Sequence, residues 1–271
     1  MTAASRQRAA VLAMDGVKML DPVRPNAGLR AAYQRKLESR IEAMVRSVGF
    51  WLKAAYRANE PEMAQDASPA MELRAAVRRM ARRWQRDFDK LAPELAEYFA
   101  RAAADRSDAQ LMAMLKNRGM AVRFKATAAQ NDAYQAVIGE NISLIKSIPQ
   151  QYMTQVEGSV MRAVQAGRDL DTLTKELAQH SGVTVRRAAF IARDQNNKAT
   201  AVYNRVRQKE LGIKEAIWMH SAGGKTPRPE HVAFSGQRYD IEKGAFLEGK
   251  WTWPGHEINC RCVSKSVIPG F

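Results

Sequence analysis

Cysteine is almost absent from this sequence: its 271 residues include two, Cys260 and Cys262, separated by a single residue. That scarcity excludes a disulfide-stapled secreted scaffold, and thiols so close along the chain are badly placed for a bridge of normal geometry. Long apolar runs are missing as well. No stretch approaches the ~20 residues needed to span a bilayer, and Met1 to Ala10 is polar and basic, without an apolar segment of signal-peptide length. The expectation is a protein made and kept in a reducing, cytosol-like compartment, without a membrane. No internal repeat and no low-complexity tract interrupts the chain, and with 46% hydrophobic residues a packed core is expected.

Acidic charge is in deficit. There are 43 basic and 28 acidic residues, a formal net charge of +15. Residues 213–271 hold eight basic and six acidic side chains, which leaves +13 for the first 212. A field of that sign attracts nucleic acid or an acidic protein surface, although a solvated, soluble face gives the same count.

Periodicity predicts a mainly α fold, a multi-helix N-terminal body followed by a small α+β C-terminal domain. The expected division is an arm over 1–27, a basic helical body over 28–212 and a Cys/His tail domain over 213–271. Helices are expected from about Leu29 to Tyr56, from Leu73 to a break at Pro93, over Glu94–Ala104, and again after a Ser107/Gln110 capping box up to Gly119. Further helices are expected over Ala128–Ser147, stopped by Pro149, over Gln150–Ala166 and Leu170–His180, closed by Gly167 and Gly182, and from a Thr184 cap to Leu211. Pro61 and residues 65–69 read as a break. Leu73, Val77, Met80, Trp84, Phe88 and Leu91 form one face of a 3.6-residue repeat, with Arg74, Arg78, Arg82 and Arg86 opposite. Beyond Gly212 the pattern turns to short strands and Gly-rich turns: Glu215–His220, then pieces flanking Ser235-Gly236 and Glu248-Gly249, with Trp251 and Trp253 alternating.

Three of the four histidines, His220, His231 and His256, share that tail with both cysteines. The tail's ordered set of Trp218, Arg228, His231, Gly236, Pro254-Gly255 and Asn259-Cys260-Arg261-Cys262, preceded by the helix around Phe190–Gln195, resembles the phage Mu F-like minor head proteins, also called phage head morphogenesis proteins. The likeness covers about residues 130–265. It implies a protein of a tailed phage or prophage, located in the virion at the portal or head interior and in the host cytoplasm during assembly. The partners it implies are the portal protein, capsid or other head proteins, and packaged DNA.

Residue types in the tail suit tetrahedral zinc, with His231, Cys260, Cys262 and His220 as candidate ligands to one structural ion. The expectation is that Cys260 and Cys262 oppose one another on an extended segment and reach one ion only if the chain turns there. The competing reading packs the thiols as small apolar groups while Asn259 and Arg261 tie the turn. Arg74, Arg78, Arg82 and Arg86 are the candidate polyanion-binding stripe; a solvated amphipathic face is the alternative. The function expected is a non-enzymatic minor head protein assisting head assembly, genome packaging or ejection. A metal-dependent nuclease acting during packaging, or a host DNA-binding protein, are the rivals.

Overall fold

The computed structural model describes residues 17–58, 69–166, 170–224 and 226–269. Four long helices precede a strand-rich tail. They are α1 (Ala27–Ala58), α2 (Pro69–Lys116), α3 (Ala128–Gln165) and α4 (Leu170–Glu210). The short α5 (Pro229–Ala233) and strands β1 (Val17–Met19), β2 (Glu215–Met219), β3 (Arg238–Asp240), β4 (Ala245–Leu247), β5 (Lys250–Thr252) and β6 (Val263–Pro269) complete the fold. The mainly α class with a small strand-bearing end is therefore correct. The expected break over Pro61 and residues 65–68, and the expected stop at Gly167, lie outside the described residues.

Four expected helix boundaries are overridden by packing. Pro93 sits inside α2 on its exposed side, while Ala92, Leu95 and Ala96 carry the buried face past it. The carbonyl that loses its proline-blocked bond can then be satisfied by water. Pro149 sits inside α3. In the turn before it, the Leu144 carbonyl accepts a bond from Ser147 Oγ (2.7 Å) and the Lys146 carbonyl one from Gln85 Nε2 (3.3 Å). Helix α4 runs straight through Gly182 and Thr184. There the Thr184 hydroxyl donates to the His180 carbonyl one turn back (2.8 Å), a bond made within a helix and not at its start. Ser107 is likewise buried inside α2, and Gln110 clasps both backbone groups of Arg24 instead of capping (2.9 and 3.0 Å).

Two compact units divide the described chain. One comprises Ala31–Tyr98 and Ile138–Ala192, and its described residues are almost all helical. From α1 it buries Tyr33, Leu37, Ile41, Met44, Val48, Leu52 and Tyr56, a repeat of three and four that lines one helix face. The Tyr33 hydroxyl donates to Asn141 Oδ1 (2.9 Å), and burial pushes its pKa up. From α2 most of the expected apolar face arrives buried, Leu73, Val77, Met80, Trp84 and Phe88, while Leu91 is half-buried.

The other unit joins the residues up to Arg30, Phe99–Val137 and Arg193–Phe271. Its sheet is antiparallel throughout, in the order β1-β6-β2-β3. The segment after Gly212 thus shares its sheet with β1 from the N-terminal arm. Strands β4 and β5 form a separate hairpin, and its two-residue turn Glu248-Gly249 has positive φ at both positions (53° and 76°), the twist that two-residue hairpins favour. Leu111 and Leu115 from α2 pack with Ala216, Trp218, Tyr239, Ile241, Leu247, Ile268 and both cysteines in one apolar cluster.

Helix α4 ends as expected at Gly212. The amides of Gly212 and Ile213 bond back to Lys209 and Gln208 carbonyls (both 2.9 Å), with Gly212 at φ 69°, a conformation natural to glycine. One turn earlier lies a buried ionic network. Arg207 makes a two-pronged contact with Asp108 (2.9 and 2.7 Å), bonds Glu210 (2.6 Å) and the Lys125 carbonyl (2.9 Å), and stacks over Phe124. Gln208 Nε2 reaches Ser264 and Ser266 on β6 (3.0 and 2.8 Å).

Candidate metal centre

The tail brings three of the four expected metal ligands together. His231 lies on α5, a single turn opened by Pro229, whose fixed φ suits a first helical position. Cys260 and Cys262 precede β6 on a loop that does turn: Asn259 adopts φ 60°, and the Cys260 amide bonds the Glu257 carbonyl (2.9 Å). Both sulfurs thereby reach one imidazole nitrogen. His231 Nδ1 stands 3.6 Å from Cys260 Sγ and 3.8 Å from Cys262 Sγ, and all three side chains are buried. The expectation of two opposed thiols is corrected here: residues two apart in an extended segment share a face, so both sulfurs can meet His231 without a reversal between them, and Asn259 turns the chain just before the pair.

Helix α4 is the platform for this loop. The Asp194 carboxylate accepts the Asn259 backbone N–H, and Asn197 Nδ2 donates to the Cys260 carbonyl (3.2 Å). Ala201 meets the loop at Gly255, which has φ 80° and no room for a side chain: a Cβ there would lie 2.8 Å from the Ala201 methyl and 3.3 Å from the Cys262 carbonyl oxygen. Asp194, Asn197 and Ala201 follow one helical face at steps of three and four. Only the Arg193-Asp194-Gln195 run hinted at these residues in the sequence. A run of buried polar positions on α4, with Asp194, Gln195, Asn196, Thr200, Asn204 and Gln208, was the signal that sequence reasoning left unused.

The remaining motif residues brace the same loop. Trp218 is fully buried on β2 and meets His231 edge to face at 4.9 Å, fixing the ring plane. Gly236 returns the chain to β2 through a bond from its amide to the Trp218 carbonyl (2.8 Å). Arg228 donates to the Ile258 carbonyl (3.1 Å) and pairs with Glu248 (3.3 Å), Arg261 donates to the Gly223 carbonyl, and Pro254 is buried beside Gly255. His220 lines the same cleft but lies outside the three-residue group, and its amide bonds Ser235 Oγ (3.1 Å).

The donor set fits a tetrahedral metal. Zinc bonds of about 2.3 Å to sulfur and 2.0 Å to nitrogen, at tetrahedral angles, separate the two atoms by about 3.6 Å. The observed 3.6 and 3.8 Å are edges of that size. The bond from Cys262, against burial and with help from His231, draws Cys260 down to about 4, while the bond to Cys260 and burial push Cys262 up. A thiolate facing a ring nitrogen is the state in which such residues ligate. The cysteines also sit in the apolar cluster, as the competing packing reading expects.

Residues 154–265 match the family described as Phage Mu protein F like protein, a span that encloses His231, Cys260, Cys262 and their α4 platform. This part of the chain is similar to that family. The Mu F-like resemblance of the Pro-Gly and Asn-Cys-Arg-Cys motifs therefore holds, and in this chain the family's span contains the complete centre. A Haemophilus influenzae protein described as an uncharacterized protein is 28% identical over 255 residues, covering 91% of this chain and 55% of the relative. The chain thus spans about half the length of that curated relative, and the likeness reaches well outside the Mu F-like span. No solved structure matches.

The arginine stripe belongs to the helical unit and is exposed along α2. Arg74 and Arg78 both lie against Glu157 (2.9 and 3.4 Å). Asp87 and Asp89 are engaged by Arg40 and Lys146, from other helices.

Proposed function

We propose that this chain is a non-enzymatic minor head protein of a tailed phage or prophage, docked on the portal or the inner face of the capsid, where it assists head assembly and the packaging or ejection of the genome. The observation that carries this reading is the Mu F-like match over residues 154–265, with the His/Cys/Cys centre folded inside it. The basic helical unit supports a place beside DNA or an acidic portal surface. Within this reading one zinc ion at His231, Cys260 and Cys262, with a fourth position on the side of His220, acts structurally. It ties α5 to the lead-in of β6 and supplies cross-linking without redox chemistry. The donors are buried, and Asp194, Asn197 and Arg261 around them are committed to backbone bonds, as suits a group that holds a docking surface rigid. No helix among the described residues is long and apolar enough to cross a membrane.

The test is co-purification with portal subunits from nuclease-treated lysates of cells assembling heads. Retention at low copy with the portal in the absence of DNA supports the reading. Absence from both heads and portal complexes overturns it, and metal-dependent cleavage of DNA by the purified protein would favour a packaging nuclease instead.

A further inference from the structure

The metal centre faces a cleft of about 500 Å³ that a fold-holding site does not need. Three guanidinium groups line it, from three separate places in the chain: Arg193 on α4, Arg228 just before α5 and Arg261 between the two cysteines. His220 and Thr226 add further hydrogen-bonding groups, and no carboxylate is among its described lining residues. Gathering like charges in one recess is unfavourable unless something balances them. Arg193 shows that tension, since burial first, then Arg261 and Arg30, pull its pKa down against the opposing pull of Asp194.

The nearby acids offset this charge only in part. Asp194 is held by the Asn259 amide, and Glu248 pairs with Arg228 from outside the lining. The backbone carbonyls of Ile258 and Gly223 fix Arg228 and Arg261 in place, each with one of five donors, and Arg261 Nε is buried without a protein partner. Guanidinium groups held in this way are preorganised for the oxygens of a phosphate. Three guanidinium groups present more donors than the two oxygens of a carboxylate can accept, and a phosphate supplies more oxygens. The recess also lies within the size range of small-molecule sites, about 300–1,000 Å³, with Pro227 and the exposed Ile258 offering apolar surface beside the charges.

We propose that this cleft binds a phosphate monoester, with Arg193, Arg228 and Arg261 as its ligands. The phosphate belongs either to a free nucleotide or to the 5′ end of a nucleic acid, two sources with the same chemistry. The site is separate from the α2 arginine stripe and does not depend on portal association.

Calorimetric titration of the full zinc-loaded chain tests it, with inorganic phosphate, a nucleoside 5′-monophosphate, the matching nucleoside, and a trinucleotide with or without a 5′ phosphate. The expected result is saturable one-to-one binding that requires the phosphate, weakens at least tenfold in Arg193→Gln and is unchanged in the remote Arg46→Gln. Tighter binding of the phosphorylated trinucleotide than of the mononucleotide assigns the site to nucleic-acid ends, and the reverse order assigns it to free nucleotides. Labelling of wild-type arginines by a dicarbonyl reagent supplies a readout that needs no variant: the monophosphate should protect Arg193 and Arg261. No saturable binding of any phosphate probe, equal binding by Arg193→Gln, or unprotected arginines would overturn the proposal.

Discussion

Replacing Gly255 by alanine should loosen the tail from α4, in an amount that can be worked out in two parts. The first is backbone strain: at φ 80° an L side chain costs about 1–2 kcal/mol. The second is overpacking. The new Cβ would lie 2.8 Å from the Ala201 methyl, a contact real Cβ atoms essentially never make, and forced insertions of this kind cost about 1–3 kcal/mol. The sum is roughly 2–5 kcal/mol. Ala201→Gly removes the second part but not the first, at a helix-propensity cost of its own of about 1 kcal/mol. In the Ala201→Gly background the Gly255→Ala penalty should therefore shrink towards the backbone part, leaving a favourable coupling of about 1–3 kcal/mol in the double-mutant cycle. Urea unfolding followed by tryptophan emission, with zinc held constant, measures all four corners. A Gly255→Ala cost under about 0.5 kcal/mol, or strictly additive costs, would show that the loop is not seated on α4 as described.

Asp108→Ala leaves the buried Arg207 guanidinium short of its main partner and should cost about 3–5 kcal/mol in the same unfolding assay, while Lys175→Ala in an exposed pair should change little. Burial pushes the Glu257 carboxyl up, but bonds from Lys250 (2.7 Å) and Thr252 (3.0 Å) outweigh it and hold its pKa low. Its stabilising effect is therefore full above the unfolded carboxyl pKa of about 4.3 and is lost as pH falls through the lower folded value; Glu257→Gln should flatten that acid limb of an unfolding-against-pH series. Duplex DNA should bind the chain with an affinity that falls steeply with salt. Because Arg74 and Arg78 already face Glu157, charge reversal at Arg82 and Arg86 should reduce that affinity more than reversal at Arg74 and Arg78; equal affinities across both pairs and the wild type would remove the stripe from DNA binding.

What could be read in advance depended on how local each cause was. The apolar repeat from Leu73 to Phe88 and the helix end at Gly212 are short-range patterns, and both formed as the residues dictate. Pro93, Pro149, Gly182 and Thr184 are also local signals for a helix boundary, yet long helices run through all four because burial on neighbouring turns outweighs a single lost bond. Residues 17–19 gave no hint of a strand, since β1 exists only by pairing with β6 at the far end of the chain. In the centre, residue type and scarcity were enough to single out His231, Cys260 and Cys262. The Cys-x-Cys spacing already allows both sulfurs to share one side; what it could not show is that Asp194, Asn197 and Ala201 would hold the loop from about sixty residues away.

His231, Cys260 and Cys262 are proposed to hold one metal ion that stabilises the tail, and metal analysis of the purified full chain tests it. The expected result is about one zinc per chain, lost together with protease resistance of the tail in the Cys260→Ser/Cys262→Ser double variant, while far-ultraviolet helical content is largely kept. A wild-type chain that binds no metal, or a double variant that keeps both its zinc and its protease resistance, would contradict it.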